Sequence, residues 1–518
     1  MFDLRDYQVK PVDVGVTYFL SGSKEPSIIV APTAFGKSLL VAYIAKTLKQ
    51  GVLVLQPSKE LLEQNYSKVT ALGVEASIYS ASFNTKEFGH ITYATIGSIK
   101  DMGRTFKEKG YKYLIIDELH LYPRSSTSML GNFMKTMGIK SVLGLTATPF
   151  KLQNYTDMED GGTYSQLVML TTRNKHGQFY KKILHVTQIK EMLDRNYWAK
   201  LKYEEHDFST KDLQYNSTKA EYTDESVIAA YENQEIGSKV VNRIADLEDS
   251  RKSILVFVPS ISEAIDLSSK VPNSAAVYSD MPKKEREEVI RKFRAKEIKA
   301  VFNVNILSVG FDYPEIDCII MARPTASLAW FYQAAGRGTR PFPTKEDCLI
   351  IDFVGNVGKF GKIEELYFKY QEGEWKLYGS GGKLLTGIPI HKIGLYFDPD
   401  VVPPRYKEPI LHFGKFSGKN AVSKEVPDWY KKWLLTDFKF SPEDIHIRRE
   451  LQKYFDNKLL PQAKSLEPSG PPKLKTISAN PDIRNIYSDM GGGIKGKKKE
   501  HPFIKRRKED DQENKLPF

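Results

Sequence analysis

The sequence predicts an α/β protein with two tandem parallel-sheet lobes, a small C-terminal accessory domain and a disordered basic tail. Three observations carry this. Apolar runs of four or five residues recur between positions 27 and 352 without alternation, as for strands buried on both faces of a parallel sheet. Helix-period stretches separate them: Leu40, Ile44 and Leu48 recur at four-residue spacing and stop at Gly51, and Val289, Ile290 and Phe293 line one face of 282–294. A gap at roughly 151–251 divides the runs into two groups of similar size. Strand–helix alternation of this kind builds α/β units, here in two lobes.

The first group of runs lies at 27–31, 52–55, 91–94, 113–117 and 142–146. The second lies at 254–258, 275–278, 300–304, 318–322 and 348–352. Within the gap, Thr187 is placed to cap a helix over 188–197, and 225–247 reads as one helical pattern. Past Asp352, Gly379-Ser380-Gly381-Gly382 and Pro403-Pro404 punctuate the chain, and Trp429, Tyr430, Trp433, Phe438, Phe440 and Tyr454 cluster among charges. The expected domains are therefore lobe 1 at 1–200, lobe 2 at 201–360 and an accessory domain at 361–460, with Trp429 and Trp433 in its core. Pro, Gly, Ser and Lys dominate 461–518, which is expected to be a disordered basic tail.

A chain of 518 residues is too long for one core. Apolar residues at 41% and charged residues at 27% are an ordinary globular balance. No apolar run approaches the roughly 18 residues that span a bilayer, so no membrane association is expected. The opening Met1-Phe2-Asp3-Leu4-Arg5-Asp6 lacks the features of a secretory signal. Two cysteines, Cys318 and Cys348, cannot build a disulfide framework or a four-cysteine zinc site, and both fall in apolar runs. They read as buried thiols of a cytoplasmic protein. The net charge is +12; residues 461–518 carry 13 basic and 8 acidic side chains, leaving +7 for the rest. A basic body with a basic tail suits a polyphosphate partner.

Two motifs carry chemistry. Ala31-Pro32-Thr33-Ala34-Phe35-Gly36-Lys37-Ser38 follows a strand run and opens a helix. A loop whose N–H groups converge at a helix N-terminus is an anion site. There Lys37 reaches the β- and γ-phosphates of a nucleotide and the Ser38 hydroxyl binds Mg²⁺. Ala31 stands where the usual pattern has Gly. The second motif, Tyr113-Leu114-Ile115-Ile116-Asp117-Glu118-Leu119-His120, places acids at the C-terminal edge of a strand, where open α/β sheets bind ligands. Asp117 is assigned to Mg²⁺ and Glu118 to the attacking water.

The order of motifs resembles the superfamily 2 helicases, specifically the DEAD/DEAH-box-like group. Leu4-Arg5-Asp6-Tyr7-Gln8 looks like the segment that reads adenine, Gln8 bonding the base and Arg5 supporting it. Gln56-Pro57-Ser58-Lys59-Glu60-Leu61 and Thr95-Ile96-Gly97-Ser98-Ile99 match strand-backbone contact segments. Asp117-Glu118-Leu119-His120 matches the DExH box, and Thr146-Ala147-Thr148-Pro149 the coupling motif. In lobe 2, 257–260 and 305–312 resemble motifs four and five, and Gln333-Ala334-Ala335-Gly336-Arg337-Gly338-Thr339-Arg340 resembles motif six. Within the group the likeness is nearest to the bacterial RadD-like DNA-repair helicases, although no cysteine after Cys348 can supply their C-terminal zinc module.

The resemblance implies two RecA-like lobes with ATP and Mg²⁺ between them. Catalysis falls to Glu118, Lys37, Gln333, Arg337 and Arg340, the arginines acting as fingers across the cleft, while Gly310 and Asp312 link nucleotide to strand contacts. Ser58, Thr95, Ser98 and Ser308 are the expected contacts to nucleic-acid phosphates. The implied activity is an ATP-dependent helicase or translocase on nucleic acid, DNA favoured and RNA possible, in repair, recombination or replication. Alternatives are a duplex translocase or restriction-type motor that does not unwind, and a nucleic-acid-binding ATP switch. A monomer in a prokaryotic or phage-infected cell, with protein partners at the accessory domain and tail, completes the expectation.

Overall fold

The computed structural model describes residues 4–123, 125–156, 162–173, 179–217, 220–247, 250–308, 311–390, 393, 410–411, 413–438, 447–448, 450–452 and 454–455. Gly310 and the expected tail at 461–518 lie outside these residues. In chain order the strands are β1 Ser27–Val30, β2 Gly51–Gln56, β3 Ser77–Ser80, β4 Thr85–Lys86, β5 Ile91–Thr95 and β6 Tyr111–Ile116. They continue as β7 Val142–Thr146, β8 Phe150–Thr156, β9 Thr163–Met169, β10 Lys182–Val186, β11 Lys200–Glu205 and β12 Ile254–Phe257. The last six are β13 Ser274–Val277, β14 Ala300–Asn303, β15 Cys318–Met321, β16 Asp347–Asp352, β17 Tyr367–Gln371 and β18 Glu374–Tyr378.

Two large sheets organise the chain. The first runs β10-β1-β7-β6-β2-β5-β3-β4 and is parallel except where β4 turns back on β3. The second runs β11-β16-β15-β12-β14-β13 and is parallel throughout. All ten apolar runs are strands of these sheets, and the central β1, β7, β12, β14 and β15 are buried at every residue. β8 and β9 form a separate antiparallel ribbon, as do β17 and β18.

The edge strands β4, β10 and β11 escaped the pattern. β10 and β11 are partly exposed, and β11 carries Lys200, Lys202, Glu204 and Glu205, since an edge strand needs no continuous apolar face. The helical reading of 225–247 is corrected to two helices, Asp224–Asn233 and Ile236–Asp246. Glu235 breaks them with a left-handed φ of 52°. Thr187 does not cap the next helix either. Gln188 holds the N-cap position of Ile189–Asp194, its amide donating to Glu191 Oε1, while the Thr187 amide bonds Val30 O.

Beyond β16, Ile363, Leu366, Phe368, Leu377 and Leu385 join the main core, whereas Leu411, Val426, Tyr430, Leu434, Ile447 and Leu451 form a small cluster of their own. Trp429 and Trp433, expected inside it, are 62% and 42% exposed. The helix Asp428–Thr436 turns Tyr430 and Leu434 inward instead, which leaves positions 429 and 433 outside. Cys318 and Cys348 are buried free thiols, and burial pushes Cys348 up to about 12. No helix of the described residues is long and apolar enough to cross a membrane.

Candidate active site

At the end of β1 the Ala31 amide still bonds Thr146 O of β7; the chain then turns through residues 32–36 into the helix Lys37–Thr47. The turn needs left-handed backbone at Ala34 (φ 59°) and Gly36 (φ 88°), the second a position that glycine fills without strain. Two sheet positions away, beyond β7, the Asp117 amide at the end of β6 bonds Leu55 O and Glu118 adopts φ 44°. This swings the Glu118 carboxylate onto Lys37, with Lys37 Nζ 3.0 Å from Glu118 Oε1. His120 Nδ1 lies 3.4 Å from Glu118 Oε2 and 2.8 Å from Thr146 Oγ1, and Thr146 Oγ1 accepts from the Thr148 amide. The acidic segment and the Thr146-Ala147-Thr148 turn are thereby joined by one hydrogen-bonded chain.

Burial and charge push the two acids apart. Burial, reinforced by the Glu118 charge, raises Asp117 to about 6 against the pull of Lys37. Burial would also raise Glu118, but Lys37 and His120 outweigh it and hold that carboxyl below its usual value. Burial lowers His120 and keeps the imidazole neutral near pH 7. Glu118 is the stronger acid of the pair.

The second lobe closes this cleft. After the helix Leu328–Ala335, a tight turn at Gly336–Thr339 carries Arg337 and delivers Arg340 at its end. Arg337 donates to Phe311 O (2.8 Å) and to Gln333 O (3.2 Å), and burial lowers it to about 9. Arg340 pairs with Asp312 Oδ1 at 2.9 Å. Asp312 Oδ2 in turn meets Lys68 Nζ of lobe 1 at 2.6 Å. Gln333 is 2% exposed, and its Nε2 has no hydrogen-bond partner among the described residues. The turn touches the phosphate-loop segment directly: Thr33 Oγ1 lies 3.4 Å from Thr339 Oγ1, and the Thr33 amide 3.4 Å from the Tyr332 hydroxyl.

One cleft is thus lined by Thr33, Ala34, Phe35, Gly36, Lys37, Ser38, Asp117, Glu118, Asp312, Gln333, Arg337 and Arg340. Ala31 and Pro32 sit behind its wall. Gln8 is buried beneath the loop, accepting from the Arg5 amide and donating to Phe35 O, and Arg5 lies over the Tyr197 ring. Neither lines the cleft. Of the expected strand contacts, Ser58 caps the helix Lys59–Ala71 and lines an apolar groove between the lobes. Thr95 and Ser98 bond each other, and Ser308 is buried with its hydroxyl on Asn305 O. The sequence reading missed Asn65 and Lys68, which also line the cleft. The available signal was a polar residue at position 65 on the inward face of a helix that otherwise buries Leu62 and Val69.

Comparison with known proteins agrees with this geometry. Residues 1–151 match the family described as type III restriction enzyme, res subunit, and residues 238–341 the helicase conserved C-terminal domain. These matches are to helicase domains and helicase relatives, and the chain is similar to the DEAD/DEAH-like group of superfamily 2 helicases. It is 24% identical over 377 residues to IRC3 of Saccharomyces cerevisiae, named as an ATP-dependent helicase, a match covering 68% of this chain and 51% of that one. It is 26% identical over 363 residues to a 51.5 kDa protein of a Lactococcus phage, covering 68% and 71%. It is 23% identical over 376 residues to the DNA 3'-5' translocase XPB2 of Sulfurisphaera tokodaii, covering 68% and 81%. The chain therefore spans about half the length of its yeast relative. Its fold is shared with a fragment of an HsdR subunit of a type I restriction enzyme from Vibrio vulnificus YJ016 (TM-score 0.51, 20% identity, 68% of this chain and 64% of that one).

Proposed function

We propose that the chain is an ATP-dependent nucleic-acid helicase or translocase that acts on DNA and hydrolyses the β–γ bond of ATP between its lobes. One observation carries the reading: Lys37, Asp117 and Glu118 of lobe 1 share a cleft with Arg337 and Arg340 of lobe 2. Lobe 1 is assigned to 1–200 and lobe 2 to 201–360, in keeping with β10 at the edge of the first sheet and β11 in the second. The phosphates lie on the loop 31–38 and Lys37 meets their charge. Glu118, ionised and already turned into the cleft, takes the proton of the attacking water once Lys37 has exchanged it for a phosphate. Arg337, protonated at neutral pH with a value of about 9, and Arg340 face the γ-phosphate from the other side. Fingers of this kind contribute roughly 10³–10⁵ in rate.

Mg²⁺ fits the donors present. The Ser38 hydroxyl and Asp117 carboxyl are hard oxygen ligands held by one shared amide, that of Asn65. Ser38 and Asp117 would hold the ion, which would supply positive charge to the phosphate oxygens. Adenine contact by Gln8 requires its amide to leave Phe35 O or to use its second N–H. The placement near RadD-like repair proteins rests on the sequence motifs alone.

A second reading, a translocase or restriction-type motor that does not separate strands, is favoured by the restriction-subunit match of residues 1–151. ATPase and unwinding assays on blunt, 3′-tailed, 5′-tailed and forked DNA and RNA separate the two. The proposal expects nucleic-acid-stimulated turnover that Lys37→Ala abolishes with the fold retained, because Lys37 stands on a loop and contributes little packing. Turnover near wild-type in a folded Lys37→Ala variant would remove the assignment. Translocation without any strand displacement selects the second reading.

A further inference from the structure

The helix Lys59–Ala71 runs behind the cleft, and its middle residue, Asn65, is 4% exposed. Three groups from three parts of lobe 1 converge on its side chain. The Ser38 hydroxyl donates to Asn65 Oδ1 at 2.5 Å. Asn65 Nδ2 donates to Gln56 Oε1 at 2.8 Å and to Asp117 Oδ2 at 3.0 Å. Chemistry fixes which way the amide faces. An ionised carboxylate only accepts, so nitrogen must face Asp117 and oxygen Ser38. Both N–H groups and one acceptor position are used, and rotation of the amide would turn its oxygen onto the acceptors Gln56 Oε1 and Asp117 Oδ2.

We propose that Asn65 is a positioning residue for the divalent cation, its amide fixing the Ser38 hydroxyl and the Asp117 carboxylate so that both present oxygen to the same ion. The proposal rests on the reading of Ser38 and Asp117 given above. A helix interior does not require asparagine, which has a lower helix propensity than alanine or leucine and is costly to bury unpaired. The packing surface of the helix, Leu62 and Val69, would accept an apolar residue at position 65. What an apolar residue would not supply is an acceptor for Ser38 and a donor for Asp117, whose Oδ2 lies 3.0 Å from the Asn65 amide nitrogen. Groups that orient metal ligands in this way commonly change metal affinity 10–100-fold when removed.

The test is titration of Mn²⁺ into the intact protein with ADP, followed by the electron paramagnetic resonance of free Mn²⁺, alongside ADP binding in EDTA. Asn65→Ala is expected to weaken Mn²⁺ binding at least about tenfold while leaving metal-free ADP binding within twofold. Asn65→Asp, which is the same size but places a second anion beside Asp117, is expected to shift Mn²⁺ affinity the opposite way. A merely structural role moves both variants in the same direction. Unchanged Mn²⁺ affinity in both variants, or equal losses in both, overturns the proposal. Asp117→Ala is measured in parallel. If it too leaves Mn²⁺ affinity unchanged, the metal reading of Asp117 fails; if it weakens binding while the Asn65 variants do not, only the role of Asn65 fails.

Discussion

Glu118 holds a left-handed backbone that costs a non-glycine residue about 1–2 kcal/mol, and the return on that strain is geometric. Continued as a strand, position 118 would project to the other side of the sheet from Asp117. Turned at φ 44°, its carboxylate reaches Lys37. Glu118→Gln keeps the shape and loses the base. ATP should bind with near wild-type affinity, and hydrolysis should fall by roughly 10²–10⁴. Equilibrium binding of a fluorescent ATP analogue beside single-turnover hydrolysis checks this, and loss of nucleotide affinity would instead make Glu118 a structural or metal-binding group. Lys37, Ser38, Asp117 and Glu118 were legible because each lies within a contiguous motif at a strand end. Asn65 was not, because its role appears only when β2, β6 and the phosphate loop are brought together in space. Gln8 shows the reverse: the motif is present, but its amide is committed to Arg5 and Phe35 in this arrangement.

At the scale of elements, the central strands announced themselves, as did β13 at one edge, whereas the edge strands β4, β10 and β11 did not. β1, β7 and β12 are apolar because both faces are covered, whereas β11 pairs on one side only and reads as a charged loop. The break at Glu235 was equally hidden, since no glycine or proline stands among Asn233, Gln234 and Glu235 to mark it. One close approach between elements does have a sequence marker, the glycine at position 336. Its φ of −62° is ordinary, so backbone freedom is not why glycine stands there. A Cβ would fall 2.7 Å from Thr33 Oγ1 and Cγ2, and 2.9 Å from Thr33 Cβ, in the opposite lobe. Gly336→Ala should therefore leave the melting temperature nearly unchanged, because the lobes can relieve the clash by parting. It should reduce ATP turnover up to about 10²-fold, the cost of misplacing catalytic groups by an ångström. Thermal melts and steady-state phosphate release decide it; wild-type turnover would show that contact between this turn and Thr33 is not part of the working state.

Over the whole molecule, polar contacts bridge the lobes beside the cleft. Lys68–Asp312 is half-exposed on the lysine side and contributes little to stability, as surface ion pairs do. Thr33 of lobe 1 approaches Thr339 of lobe 2 over a cleft rich in opposed charges. Lobes joined in this way can part and close as ligands come and go.

The basic tail acts, on our reading, apart from that cycle. Lys495, Lys497, Lys498, Lys499, Lys505, Arg506, Arg507 and Lys508 fall within fourteen residues, followed by Glu509, Asp510, Asp511 and Glu513. Removing 461–518 takes away a net +5 and leaves +7 on the remaining 460 residues. If the tail holds nucleic acid near the motor through phosphate contacts, deleting it raises the apparent dissociation constant at low salt. It also flattens the dependence of log affinity on log salt, because fewer counterions are released. Every cleft residue lies at or before Arg340, so maximal ATPase rate at saturating nucleic acid should stay the same. The bland alternative is a solvated or localisation-type segment. Intact and truncated protein titrated with single-stranded DNA across a salt series distinguish them. The tether requires a shallower slope and weaker binding after truncation. Parallel slopes with equal affinities would make the tail a spectator in nucleic-acid binding.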